Sequence, residues 1–220
     1  AKSGPPICDL RMAFNQPLLA VTLGAETGDA LHRAALALQV DAAELLGTPS
    51  LSFEALDREQ LQLAFVFCNE SLCQMKEAEL SALQHLLQER VLAANVAACH
   101  LAFAGFEAFP PDKTWLVARF KVPEPLLHLR KAVWRACREF GVAYPDALWL
   151  PCIKVGRFRG PKGQVDKITS LDCLAQYSPT TPARALGLTV VCGEHHGLAC
   201  DEWARALSFE QGNPLDTGTP

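Results

Sequence analysis

The sequence predicts an α+β protein whose antiparallel sheets carry packed helices. Three observations lead there. Short apolar runs of strand length alternate with segments of helical periodicity. The strand candidates alternate apolar and polar residues, where the strands of a parallel sheet would be apolar throughout. With 220 residues, half of them apolar and a fifth charged, the chain can bury one sizeable core without disulfide staples.

Leu18-Leu19-Ala20-Val21-Thr22-Leu23 reads as a buried strand, and no longer apolar run suggests a membrane span. Residues 24–28 are expected to turn, and Leu31, Ala34, Ala35 and Leu38 then fall at helical spacing. A break at Gly47-Thr48-Pro49-Ser50 precedes Leu61 to Phe67, where strict alternation puts Gln62, Ala64 and Val66 on one face. A helix is expected over 76–95, on the stripe Leu80, Leu83, Leu87 and Val91. Strands follow at Cys99 to Phe103 and Trp115 to Phe120, separated by Pro110-Pro111-Asp112. A third helix starts with Pro125 in its first position, carries Leu126, Leu129, Val133, Cys137 and Phe140, and stops at Gly141. Pro145-Asp146 turns the chain into the strand Cys152 to Val155, and a last strand is expected at Gly187 to Cys192. The tail after Phe209 is rich in Gly, Pro and Thr, and residues 211–220 are expected to be flexible.

The nine cysteines include no CxxC pair, and several lie inside apolar stretches. Reduced thiols in an intracellular compartment, cytoplasm or organelle, are the expectation. The opening Ala1 to Pro5 has no long apolar core behind it, so no secretory signal is expected there. Charge is segregated. Residues 1–110 carry 6 Lys/Arg against 13 Asp/Glu, residues 111–170 carry 12 against 5, and residues 171–220 carry 2 against 6. A basic middle within an acidic chain suggests either an anionic ligand or a solvated basic face.

The strand pieces Gln62-Leu63-Ala64-Phe65 and Cys152-Ile153-Lys154-Val155-Gly156-Arg157, the second preceded by Pro151, stand 90 residues apart like two versions of one unit. In frame and order they resemble the paired His-x-Thr/Ser motifs of the two-histidine (2H) phosphoesterase superfamily, which includes 2′-5′ RNA ligase-like proteins and cyclic phosphodiesterases. Gly105 to Pro110 with Trp115-Leu116-Val117 is similar to the family's middle hairpin, and Glu202-Trp203 with Phe209 to its closing segment. The resemblance implies a bilobal domain over 16–210, after an N-terminal extension at 1–15. Two pseudo-symmetric antiparallel sheets would then flank a central cleft, with helices on the outer faces.

The motif residues themselves are replaced. Opening a cyclic phosphate takes one group to accept a proton and another to return it, a task suited to two imidazoles. Gln62 does not titrate, Ala64 has no donor, and Lys154 is a poor base at neutral pH. Cys152 is expected to be a small buried or half-buried thiol. The resemblance therefore implies a degenerate member with no catalytic residues at these positions. As a pseudoenzyme it would bind a nucleotide, an RNA end or another phosphate-bearing ligand through Gln62, Lys154 and Arg157. The alternatives are a protein-interaction scaffold with a vestigial cleft, and an active phosphodiesterase whose chemistry has moved to Cys152, His100 or the histidine pair. Cys192, His195, His196 and Cys200 match no common zinc spacing, so neither metal nor cofactor is expected. His100, on an apolar strand, reads as a satisfied structural histidine.

Overall fold

The computed structural model describes residues 17–45, 52–109, 114–144, 149–160, 172–179, 182–191 and 206–209. It is α+β, with one large antiparallel strand array and helices. The strands are β1 (Leu18–Leu23), β2 (Ser52–Ala55), β3 (Leu63–Phe67), β4 (Cys99–Phe109), β5 (Trp115–Lys121), β6 (Cys152–Arg159) and β7 (Ala183–Val191). Their order is β2-β6-β3-β1-β7-β4-β5, and β6 also pairs with β5. The two sequence halves are thus joined by hydrogen bonds, and β6 is the junction: it borders β2, β3 and β5.

The helices are α1 (Ala25–Leu45), the single turn α2 (Ser71–Gln74), α3 (Glu77–Ala94) and α4 (Glu124–Glu139). Each long helix buries one stripe, with Leu31, Ala35 and Leu38 on α1, Leu83, Leu87 and Val91 on α3, and Leu126, Leu129 and Val133 on α4. These stripes join the inward residues of the strands in one core. Helix α3 is closed by Asn95 in the left-handed region (φ 46°), which its short side chain tolerates. Among the described residues no helix is long and apolar enough to cross a membrane.

Several expectations need correction. Residues 25–28 do not turn but already belong to α1, with Gly28 inside it. Helix α4 starts one residue earlier than read, because Pro123 supplies its extended N-cap and Pro125 is its second residue. β4, β6 and β7 run longer than their apolar cores suggested, and β2 was not foreseen. The alternation after Gln62 is not strict. Leu19 pairs with Val66 and Ala20 with Ala64, so Phe65 is an extra residue, a β-bulge. The bulge reverses the parity, and both Phe65 and Val66 enter the core. His100 is exposed opposite Arg184, not a satisfied core histidine. The Gly47–Ser50 break, the Pro110–Asp112 and Pro145-Asp146 turns, Glu202-Trp203, the Cys192–Cys200 segment, 1–15 and 211–220 lie outside the described residues.

Candidate functional site

The motif strands β3 and β6 meet at one pair, Leu63 opposite Ile153. Both side chains are fully buried, on the helix side of the array. Strand side chains alternate, so their neighbours point to the other face. Continuing the antiparallel register sets Gln62 opposite Lys154 and Ala64 opposite Cys152. All four are half-buried, as befits a face the helices leave uncovered.

The flanking strands extend this pairing into two rows. Ala20 on β1 lies opposite Ala64, and Val21 opposite Leu63, which brings Thr22 beside Gln62. On the far side, Val117 of β5 pairs with Lys154 and Arg119 with Cys152. One row therefore reads Arg119, Cys152, Ala64, Ala20, with Thr189 of β7 beyond. The other reads Val117, Lys154, Gln62, Thr22, with Gly187 beyond. The first is lined at its centre by small side chains, and the second is polar there.

Lys154 does not stand alone. Its Nζ lies 5.0 Å from the centroid of the Trp115 ring, and the Arg157 guanidinium carbon lies 5.4 Å from the same centroid. The aromatic quadrupole offsets part of the repulsion between the two cations. Burial pulls the Lys154 ammonium below its usual pKa. Arg157 also pairs in register with Glu54 and helps to lower that carboxylate's pKa, after the larger effect of the Arg159 hydrogen bond. The Gln62 amide donates to the Glu59 carbonyl at 3.1 Å.

Cys152 is pushed up to about 11, chiefly by burial, against the pull of the Arg119 and Lys154 charges. At neutral pH it is a thiol, without the thiolate that nucleophilic or basic work demands. His100 lies on β4, bordered by β7 and not by a motif strand.

Sequence reasoning identified Gln62, Ala64, Cys152, Lys154 and Arg157; the single pair Leu63–Ile153, continued one residue each way, sets the first four side by side, and Arg157 lies beside Trp115. It missed Thr22, Trp115 and Arg119. Trp115, Val117 and Arg119 recur at every second position of one strand, which puts an arginine among apolar neighbours. That pattern was readable, but which neighbouring strand it would face was not.

No protein-family model matches the sequence, and no curated protein does. Solved structures do share its architecture. TT0787 of Thermus thermophilus superposes with a TM-score of 0.52 at 19% identity, covering 80% of this chain and 87% of that one. A structure described as a phosphoesterase gives 0.51 at 13% identity, covering 80% and 86%. The chain shares the fold of that phosphoesterase structure. E. coli LigT in its apo form gives a TM-score of 0.50 at 13% identity, covering 80% and 86%. At these identities the shared fold is what the likeness carries, and the phosphoesterase-fold resemblance leaves the chemistry to the residues of the site.

Proposed function

We propose that the face bearing Gln62 and Lys154 binds a phosphate-bearing ligand, such as a nucleotide or an RNA end, without hydrolysing it. The supporting observation is the register of β3 and β6, with Leu63 opposite Ile153, which aligns Lys154, Gln62 and Thr22 in one row. A lysine in a partly desolvated site attracts an anion more strongly than one in open water. Gln62 can turn its amide to a phosphate oxygen, and Thr22 has a hydroxyl to donate. General acid–base catalysis needs a group that titrates near neutrality. Cys152, held near 11, does not, and neither Gln62 nor Ala64 can.

Titration of the full chain with inorganic phosphate and nucleoside monophosphates tests this reading. Weak, salt-sensitive binding is expected, and Lys154→Glu should abolish it while leaving thermal unfolding nearly unchanged. The same protein should show no turnover of 2′,3′-cyclic nucleotides above background. Turnover that disappears in Cys152→Ala would replace this reading with an active enzyme. Absence of binding by any of these probes would favour the scaffold reading.

A further inference from the structure

Among the described residues, two buried side-chain nitrogen or oxygen atoms lack a hydrogen-bond partner: Thr22 Oγ1 and Arg119 Nε. Both belong to the two rows described above. Thr22 adjoins Gln62 on one side of the motif pair, and Arg119 adjoins Cys152 on the other. Buried donors without acceptors are rare in folded proteins because the lost hydration is not returned. Finding both of them on the candidate ligand face is the observation that needs a cause.

Arg119 is the more informative of the two. Its Nη1 is paired with the carboxylate of Glu107, which sits diagonally across the β4–β5 hairpin. That contact fixes a planar, rigid fork at one end. The charge of the guanidinium acts on the Cys152 thiol, so the fork lies close to the small-residue row. Glu107 largely cancels that charge for a distant anion, leaving the orientation of the donor as what Arg119 offers. We infer that Arg119 is a ligand-binding residue of this face, its buried Nε–H held ready for an oxyanion oxygen by the grip of Glu107 on Nη1.

This inference rests on the phosphate-binding reading and adds to it. A ligand bound by Lys154 and Gln62 would have a further anchor on β5, the strand beside β6. Glu107 acts here as a positioning residue. Lysine cannot replace Arg119, because its ammonium has no N–H at the Nε position and no planar fork.

The test uses the ¹⁵N-labelled full chain titrated with inorganic phosphate and with adenosine 5′-monophosphate. The Arg119 Nε–H resonance, assigned by its loss in Arg119→Lys, should shift and saturate with the same dissociation constant as the bulk binding signal. Arg119→Lys and Arg119→Gln should each weaken binding about tenfold or more, as expected for a lost charge-assisted hydrogen bond. A stationary Nε–H resonance during binding that Lys154→Glu abolishes would overturn the inference and leave the phosphate-binding reading standing. No binding by the wild-type chain would overturn both.

Discussion

The two motif strands cross at one residue pair, yet they are built differently. β3 is neutral along the ligand face, with Gln62 just before it and Ala64 within it, and its backbone is braced by side chains. Trp149 Nε1 donates to the Ala64 carbonyl at 2.8 Å, and Arg130 Nε donates to the Phe65 carbonyl at 3.0 Å. The Arg130 guanidinium lies 5.2 Å from the Trp149 ring centroid, and that ring meets Phe65 edge-on at 5.5 Å. The carbonyls at the bulge thereby each receive a side-chain donor. β6 carries Cys152, Lys154 and Arg157, and is held by close packing and charge pairs with β2. Frame and field are therefore separable: β3 sets the geometry, and β6 supplies the charge.

The harshest way to break the comparison is at Gly156 on β6. A Cβ there would lie 2.2 Å from the Phe53 ring and 2.6 Å from the Glu54 carbonyl. Gly156→Ala should destabilise the fold by about 3 kcal/mol, since backbone cannot yield as a side-chain tip can. The thermal midpoint should fall by roughly 6–12 °C. A midpoint within a degree of wild type would mean that β2 does not pack on β6 as described.

A second measurement separates the buried groups of β6 by pH. The Cys152 thiol ionises near its ordinary 9.0 when unfolded and at about 11 when folded. Between these values the folded state keeps a proton that the unfolded state has released, so stability falls as pH rises from 9 to 11. The loss should be on the order of 2 kcal/mol, fully absent below pH 9. Lys154 acts with the opposite sign. Its folded pKa lies below the ordinary 10.5, so the folded ammonium gives up its proton first and stability rises with pH through that interval. Denaturant unfolding of Cys152→Ala across pH 8–11 should show a smaller fall than wild type, the remainder belonging to Cys68 and Cys99, whose thiols are also raised. An unchanged pH profile would show that the thiol is not buried as described.

On β3 the corresponding change is Trp149→Phe. It keeps the ring near Phe65 and removes the donor to the Ala64 carbonyl. A loss of about 1–2 kcal/mol is expected, because a half-buried acceptor loses its indole donor. Ligand binding should weaken with it if the bulge sets the direction of Gln62 and Ala64, which calorimetry of the same variant would read. Intact binding with full stability would remove Trp149 from the frame.

The smallest effect should come from rebuilding the motifs. Gln62→His, Ala64→Thr, Cys152→His and Lys154→Thr together change half-buried side chains on the ligand face and leave Leu63 and Ile153 untouched. Cooperative unfolding should persist, with stability within about 1 kcal/mol of wild type. Loss of cooperativity would mean that these positions belong to the core.

Periodicity alone determined a good deal. It located β1, the stripes of α3 and α4, the stop at Gly141 and the Leu63 and Ile153 strands, because burying apolar area demands those spacings wherever the elements dock. The family resemblance added that the strands of Gln62 and Lys154 should converge. Tertiary structure decided the rest. The Phe65 bulge turns Val66 inward against the alternation, and it exists because β3 must match β1 while Trp149 and Arg130 take its carbonyls. Only the pairing of β5 with β6 brings Arg119 to Cys152 and Trp115 over to Lys154 and Arg157, across separations of roughly 30 to 40 residues. A strand's own sequence specifies which of its side chains share a face. Which other strand supplies the neighbours on that face depends on hydrogen-bond register between distant segments, and no local pattern encodes it.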